Sequence, residues 1–246
     1  MYSFIKKISL GLGLLAAVSA HAAGGGAKLE FFKPDLSQDA LQRGAALYMG
    51  YCSGCHSLKY QRYQRLADDL GIPLNADDVV VAEGDKAAAA KKAALAEARM
   101  AKFMDSIMIT TDKTGETMLM GFPKMLAEMS EDDRLGWFNG RVPPDLSLTG
   151  RSRGSDWIYT YLKSFYVDES SVTGVNNTVL PGAAMPHALQ NLQGLQKAVF
   201  NEEAHNGETH KVFSHFEKIA PGEVSNAEFE RQLSDLTSFL VYVGEP

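Results

Sequence analysis

Residues 51–57 read YCSGCHS, and Cys52 and Cys55 are the two cysteines of the 246-residue chain. A Cys-x-x-Cys pair followed at once by histidine admits four readings: a disulfide, a redox-active dithiol, part of a zinc site, or an anchor for a covalent prosthetic group. A structural disulfide makes poor use of this spacing, because it closes a very short loop and restrains the unfolded chain little. A thioredoxin-like dithiol belongs beside a βαβ pattern, which this sequence does not show. Zinc needs a fourth ligand beyond Cys52, Cys55 and His56, and neither a second cysteine pair nor a His-x-x-x-His partner is present in the sequence. The spacing matches c-type haem attachment, in which each thiol adds to a vinyl group and His56 is the proximal iron ligand. One helical turn between the cysteines lets both reach one edge of a porphyrin.

The opening MYSFIKKISLGLGLLAAVSAHAAGGG has Lys6 and Lys7, an apolar stretch over 8–18, and small residues at Ala20 and Ala22. This is the pattern of a secretory signal peptide over 1–22. The apolar stretch is shorter than the roughly 20 residues that cross a bilayer. Removing the leader takes away two lysines and leaves 22 basic against 30 acidic side chains, a formal charge of −8. Such a balance argues against nucleic acid as a partner, which calls for clustered Lys and Arg, and suits a basic protein partner. The remaining chain, 23–246, is long enough for one good core with an inserted segment.

The fold is expected to be mainly α. A helix is predicted over 37–51, with Leu41, Ala45, Tyr48 and Met49 on one face, leading directly into the cysteine motif. A second, over 85–108, is rich in Ala, Lys, Glu and Leu, with Asp85 as its cap and Leu95, Met100, Phe103, Met104, Ile107 and Met108 on one side. A shorter helix is predicted to start at Ser155. In the last, SNAE at 225–228 forms a capping box, Phe229, Leu233, Leu236, Leu240 and Val243 form the stripe, and Gly244 ends it. Connections marked by Pro and Gly include GFPKM, NGRVPPDLS, TGRSRG and LPGAAMPH. Strand patterns are scarce, and NEEAHNGETHKVFSH, with His205, His210 and His215, reads as solvated surface. A buried macrocycle would supply the apolar body that long ordered loops need.

What a haem protein does depends on the other axial position. A permanent ligand there excludes substrate and leaves electron transfer. Most of the methionines lie between 100 and 129, at spacings that suit helix core. Met185 differs, because Pro181, Gly182 and Pro186 bracket it in a short loop. His187 is the rival, and bis-histidine ligation would also close the site, at a lower potential.

YCSGCHSLKYQRY, NGRVPPDLS, GRSRG and PGAAMPH, in this order and at these separations, resemble the cytochrome c1 family, the haem subunits of ubiquinol-cytochrome c oxidoreductase. The resemblance implies a class I cytochrome c core with insertions and long ordered loops around one covalent haem c, its terminal helices packed together. The helical insertion falls at about 60–125. It further implies Cys52 and Cys55 as thioether anchors, His56 and Met185 as axial ligands, and Arg151 or Arg153 against a haem propionate. Trp157 is expected near the propionates, and Pro143 and Pro144 along the loop bordering the haem.

Family members take an electron from a Rieske iron-sulfur protein, beside cytochrome b, and pass it to a soluble cytochrome c. They do so on the periplasmic side of the bacterial inner membrane. A C-terminal membrane anchor is part of the family pattern, and this sequence stops at VYVGEP. Membrane association is therefore expected through the complex or through an anchor beyond the sequence given. The expected function is an electron carrier rather than an enzyme on its own. The alternatives are a c-type haem peroxidase or gas-binding protein with an open sixth site, and a haem-free thiol oxidoreductase.

Overall fold

The computed structural model describes residues 28–71, 117–118, 130, 133, 141–205 and 208–245. Helix α1 spans Gln38–Tyr51 and buries Leu41, Gly44, Ala45 and Tyr48 on one face. Helix α6 spans Asn226–Val243 and buries Phe229, Leu233, Leu236, Leu240 and Val243. Both follow from a 3.6-residue apolar period. The start of α6 is fixed by Ser225, whose hydroxyl accepts from the Glu228 amide at 3.2 Å. The Glu228 carboxylate turns along the helix to Arg231 and Gln232.

These two helices cross at Gly44. Its Cα faces the carbonyl oxygen of Asp235 and the Cβ of Phe239 so closely that no side chain fits between them. Beside the crossing, Arg43 makes two bonds to the buried Asp235 carboxylate, at 2.7 and 2.9 Å, and Arg231 adds a third at 2.7 Å. Tyr48 and Phe239 meet with ring centroids 5.7 Å apart. The expected packing of the terminal helices is therefore present, and small size at position 44 is what permits it.

Two short helices lie between. Helix α3, Thr149–Arg153, abuts α6 through Gly150, which faces the Leu240 carbonyl. Helix α4, Ser155–Lys163, starts where expected and buries Ile158, Thr160, Tyr161 and Leu162. The chain ahead of α1 lies across these helices, with the Phe32 amide on Asp156 and the Asp35 amide on Ser238. Among the described residues are also α2, Tyr63–Asp69, and the single turn α5, Gln190–Gln193.

Strands stand beside the helices, so the mainly α expectation is not confirmed. Strand β1, Leu58–Arg62, pairs antiparallel with β2, Thr117–Met118, and β3, Phe165–Val167, with β4, Val175–Asn177. The longest pair is β5, Gly194–His205, with β6, Glu208–Pro221. The stretch read as solvated surface is thus a strand pair, and most of its side chains are indeed exposed. Beyond its base the ribbon has no fully buried face to impose alternation, so its period is weak. Asn206-Gly207, a strong hairpin dipeptide, was the available signal.

TGRSRG, expected as a connection, forms α3. The β1–β2 pairing joins the ends of the segment expected as an insertion. Of that segment's helical content α2 is described. The helix expected over 85–108, with its methionines, lies outside the described residues, as does the leader. No helix among the described residues is long and apolar enough to cross a membrane.

Gly44→Ala should cost about 2 kcal/mol or more of stability, because the added methyl must push two backbones apart. Denaturant unfolding of the haem-loaded protein at constant slope measures it.

Candidate haem site

The motif is presented by the end of α1. The amides of Cys52 and Ser53 both bond to the Tyr48 carbonyl, and the amides of Cys55 and His56 both return to the Cys52 carbonyl, at 3.0 and 2.9 Å. This tight turn carries both cysteines and the histidine. Both thiols are free, Cys52 buried and Cys55 exposed. Burial, with a smaller contribution from Cys55, pushes the Cys52 thiol up to about 12. A thiol held protonated is a poor redox nucleophile.

His56 is oriented from two sides. Its Nδ1 lies 2.7 Å from the Pro144 carbonyl oxygen, and the Tyr48 hydroxyl donates to its own carbonyl at 2.6 Å. With Nδ1 donating to a carbonyl, Nε2 carries the lone pair, the tautomer an iron ligand requires. Burial lowers the imidazole pKa, and the Pro144 carbonyl opposes this. The neutral ring is thereby favoured.

The PPDLS segment is stitched to the residues just after the motif. The Leu146 amide bonds to the Ser57 carbonyl at 2.9 Å, the Lys59 amide to Asp145 at 2.8 Å, and the Tyr60 amide to the Ser147 hydroxyl at 3.2 Å. Asp145 also accepts from the Ser147 amide. Its carboxylate serves turn and strand hydrogen bonding.

Met185 is half-buried against the same core that includes Cys52. The Tyr161 hydroxyl donates to its Sδ at 3.4 Å. Burial raises the Tyr161 phenol to about 12, so it remains a donor. Tyr161 belongs to a column along α4 and its extension. Arg153 lies over the Trp157 ring at 4.9 Å, Trp157 stacks on Tyr161 at 4.7 Å, and Phe165 meets Tyr161 edge-on at 5.1 Å. His187, the rival ligand, is buried and stacks flat on Phe165 at 5.2 Å. Arg151 faces the other way, toward Glu245 at 3.6 Å.

Sequence reasoning singled out Cys52, Cys55 and His56, and put forward Met185, Trp157 and one of the two arginines beside them. It missed the roles of Tyr48 and Tyr161, which it took as apolar bulk or passed over. The four-residue steps from Arg153 through Trp157 and Tyr161 to Phe165 were the visible sign of the column.

Two free thiols on one turn and a histidine with its tautomer fixed form a donor set that fits covalently attached haem iron. On an α1–α6 helix pair, this defines a c-type cytochrome. The cytochrome C1 family model matches residues 30–246. The cytochrome c1 of Allochromatium vinosum is 40% identical over 244 residues, covering 98% of this chain and 86% of the relative. A protein of Nitrosomonas europaea named ammonia monooxygenase gamma subunit is 34% identical over 243 residues, covering 98% and 84%.

The chain belongs to the cytochrome c1 family. It carries one covalent haem c and is an electron-transfer subunit of the ubiquinol-cytochrome c oxidoreductase complex, with no enzymatic activity by itself.

Tyr48→Phe leaves the buried His56 carbonyl without its side-chain donor. It should cost about 1–2 kcal/mol in denaturant unfolding while the covalent haem is retained.

Proposed function

We propose that this chain receives an electron from a Rieske iron-sulfur protein and passes it to a soluble cytochrome c. It does so beside cytochrome b, on the periplasmic side of the bacterial inner membrane. His56 and Met185 would hold the haem iron, and Cys52 and Cys55 would fasten the macrocycle through thioether bonds. Bound haem supplies a one-electron cycle between ferric and ferrous iron.

The observation that carries this reading is the Tyr161 hydroxyl on the Met185 sulfur. A thioether already oriented by a buried donor stays in place, and a closed sixth position leaves no room for substrate. Pro144 holds His56 through its carbonyl, so the histidine keeps one ring nitrogen free for metal. Thioether ligation favours ferrous iron and a higher potential than a second histidine would give.

Arg153 is the better partner for a propionate. Arg151 is drawn to Glu245, whereas Arg153 rests on Trp157 with its donors available in a planar fork. Trp157 fixes that guanidinium and backs Tyr161 at the same time. The acidic balance of the chain suits a basic electron acceptor drawn in by charge.

Met185→Ala is expected to lower the midpoint potential and to let carbon monoxide bind the reduced form. Unchanged potential and ligand binding would move the assignment to His187. Rapid carbon monoxide binding by the unaltered reduced protein at neutral pH would instead mark a peroxidase or gas-binding protein.

Stopped-flow electron transfer to a basic cytochrome c should slow by about tenfold or more as salt rises from 10 mM to 200 mM. A rate indifferent to salt would remove the charge-steered acceptor.

A further inference from the structure

The loop from β4 to Met185 has little regular structure, yet its amides are held one after another. Asn177 is fully buried. Its Nδ2 donates to the Tyr161 carbonyl at 2.8 Å, and its Oδ1 accepts from the amides of Val179 and Leu180 at 2.9 and 3.1 Å. Asn176 accepts at Oδ1 from the Gly182 amide at 2.8 Å and donates Nδ2 to Asp168 at 2.8 Å. The Ala183 amide then bonds to the Leu180 carbonyl at 3.1 Å, closing a turn with Pro181 second and Gly182, at φ +74°, third. This is the residue pattern of a type II turn, in which glycine takes the left-handed position. Met185 lies two residues beyond the last held amide.

The same tyrosine appears at both ends of this arrangement. Asn177 grips Tyr161 by its carbonyl, and Tyr161 reaches Met185 by its hydroxyl. The separation between α4 and the methionine loop is therefore held by this carboxamide together with the β3–β4 pairing and the Thr178 amide on the Ser164 carbonyl. An aspartate lacks the donor and an aliphatic side chain lacks both functions, so asparagine supplies a combination neither can replace.

We propose that Asn177, assisted by Asn176, is a positioning residue that keeps the Met185 loop closed and so sets how rarely the sixth position of the iron opens. This rests on Met185 as the axial ligand. Loss of Asn177 removes three hydrogen bonds, of which those to the Val179 and Leu180 amides lie within the loop and the one to Tyr161 joins it to the core. Each lost bond shifts the balance toward the open loop by about fivefold.

The test uses haem-loaded wild type, Asn177→Ala, Asn176→Ala and Met185→Ala, comparing carbon monoxide association with the reduced form, midpoint potential and thermal unfolding. Asn177→Ala is expected to bind carbon monoxide about tenfold faster or more, with its potential displaced toward that of Met185→Ala. Asn176→Ala should move both in the same direction by less. If Met185→Ala opens the iron while both asparagine variants keep wild-type binding and potential, with only the melting temperature lowered, the clip is overturned and the ligand assignment stands. If Met185→Ala itself changes neither, the ligand assignment fails and the clip with it. If Asn177→Ala yields no haem-loaded protein, Asn176→Ala decides between the same outcomes.

Discussion

The bond from His56 to the Pro144 carbonyl joins two segments separated by 88 positions and fixes the orientation of the motif's one imidazole. A backbone acceptor cannot be ionised or rotated away, so the ring keeps its tautomer for as long as the loop keeps its place. The loop is held by the Ser57, Asp145 and Ser147 contacts that run directly on from the motif. Helix α1 delivers the cysteines, and the PPDLS segment decides what the histidine can do.

The Met185 sulfur sits in a loop and not on a helix or strand. Position there is built from side chains: a phenol from α4, two carboxamides from β4 and a proline-glycine turn. Arg153 and Trp157 continue the same column to the surface, so the residues that face solvent and those that touch the sulfur are one packed stack.

The terminal helices were legible because each carries a 3.6-residue stripe, and Ser225 and Gly244 mark the limits of the last one. The ribbon β5–β6 was not, since Phe200 and Val212 are exposed along with the charged residues around them. Cys52, Cys55 and His56 were readable from spacing alone, whereas Met185 was only set apart from the other methionines by the prolines beside it. Nothing in the local sequence distinguishes Asn177 from an ordinary turn asparagine, because its partner at Tyr161 is set by the folded chain. The acceptor for His56 is a carbonyl, which every residue possesses, so no residue type could have announced it.

Arg43 and Asp235, joined at the helix crossing, are 192 positions apart. A contact of that span is made late, since closing so large a loop is entropically costly and slow. The cysteine-bearing helix is therefore synthesised long before its partner, and passes that interval without the face that will bury it. The docking of α6 is what covers that face, so the fold closes only when two distant parts of the chain meet.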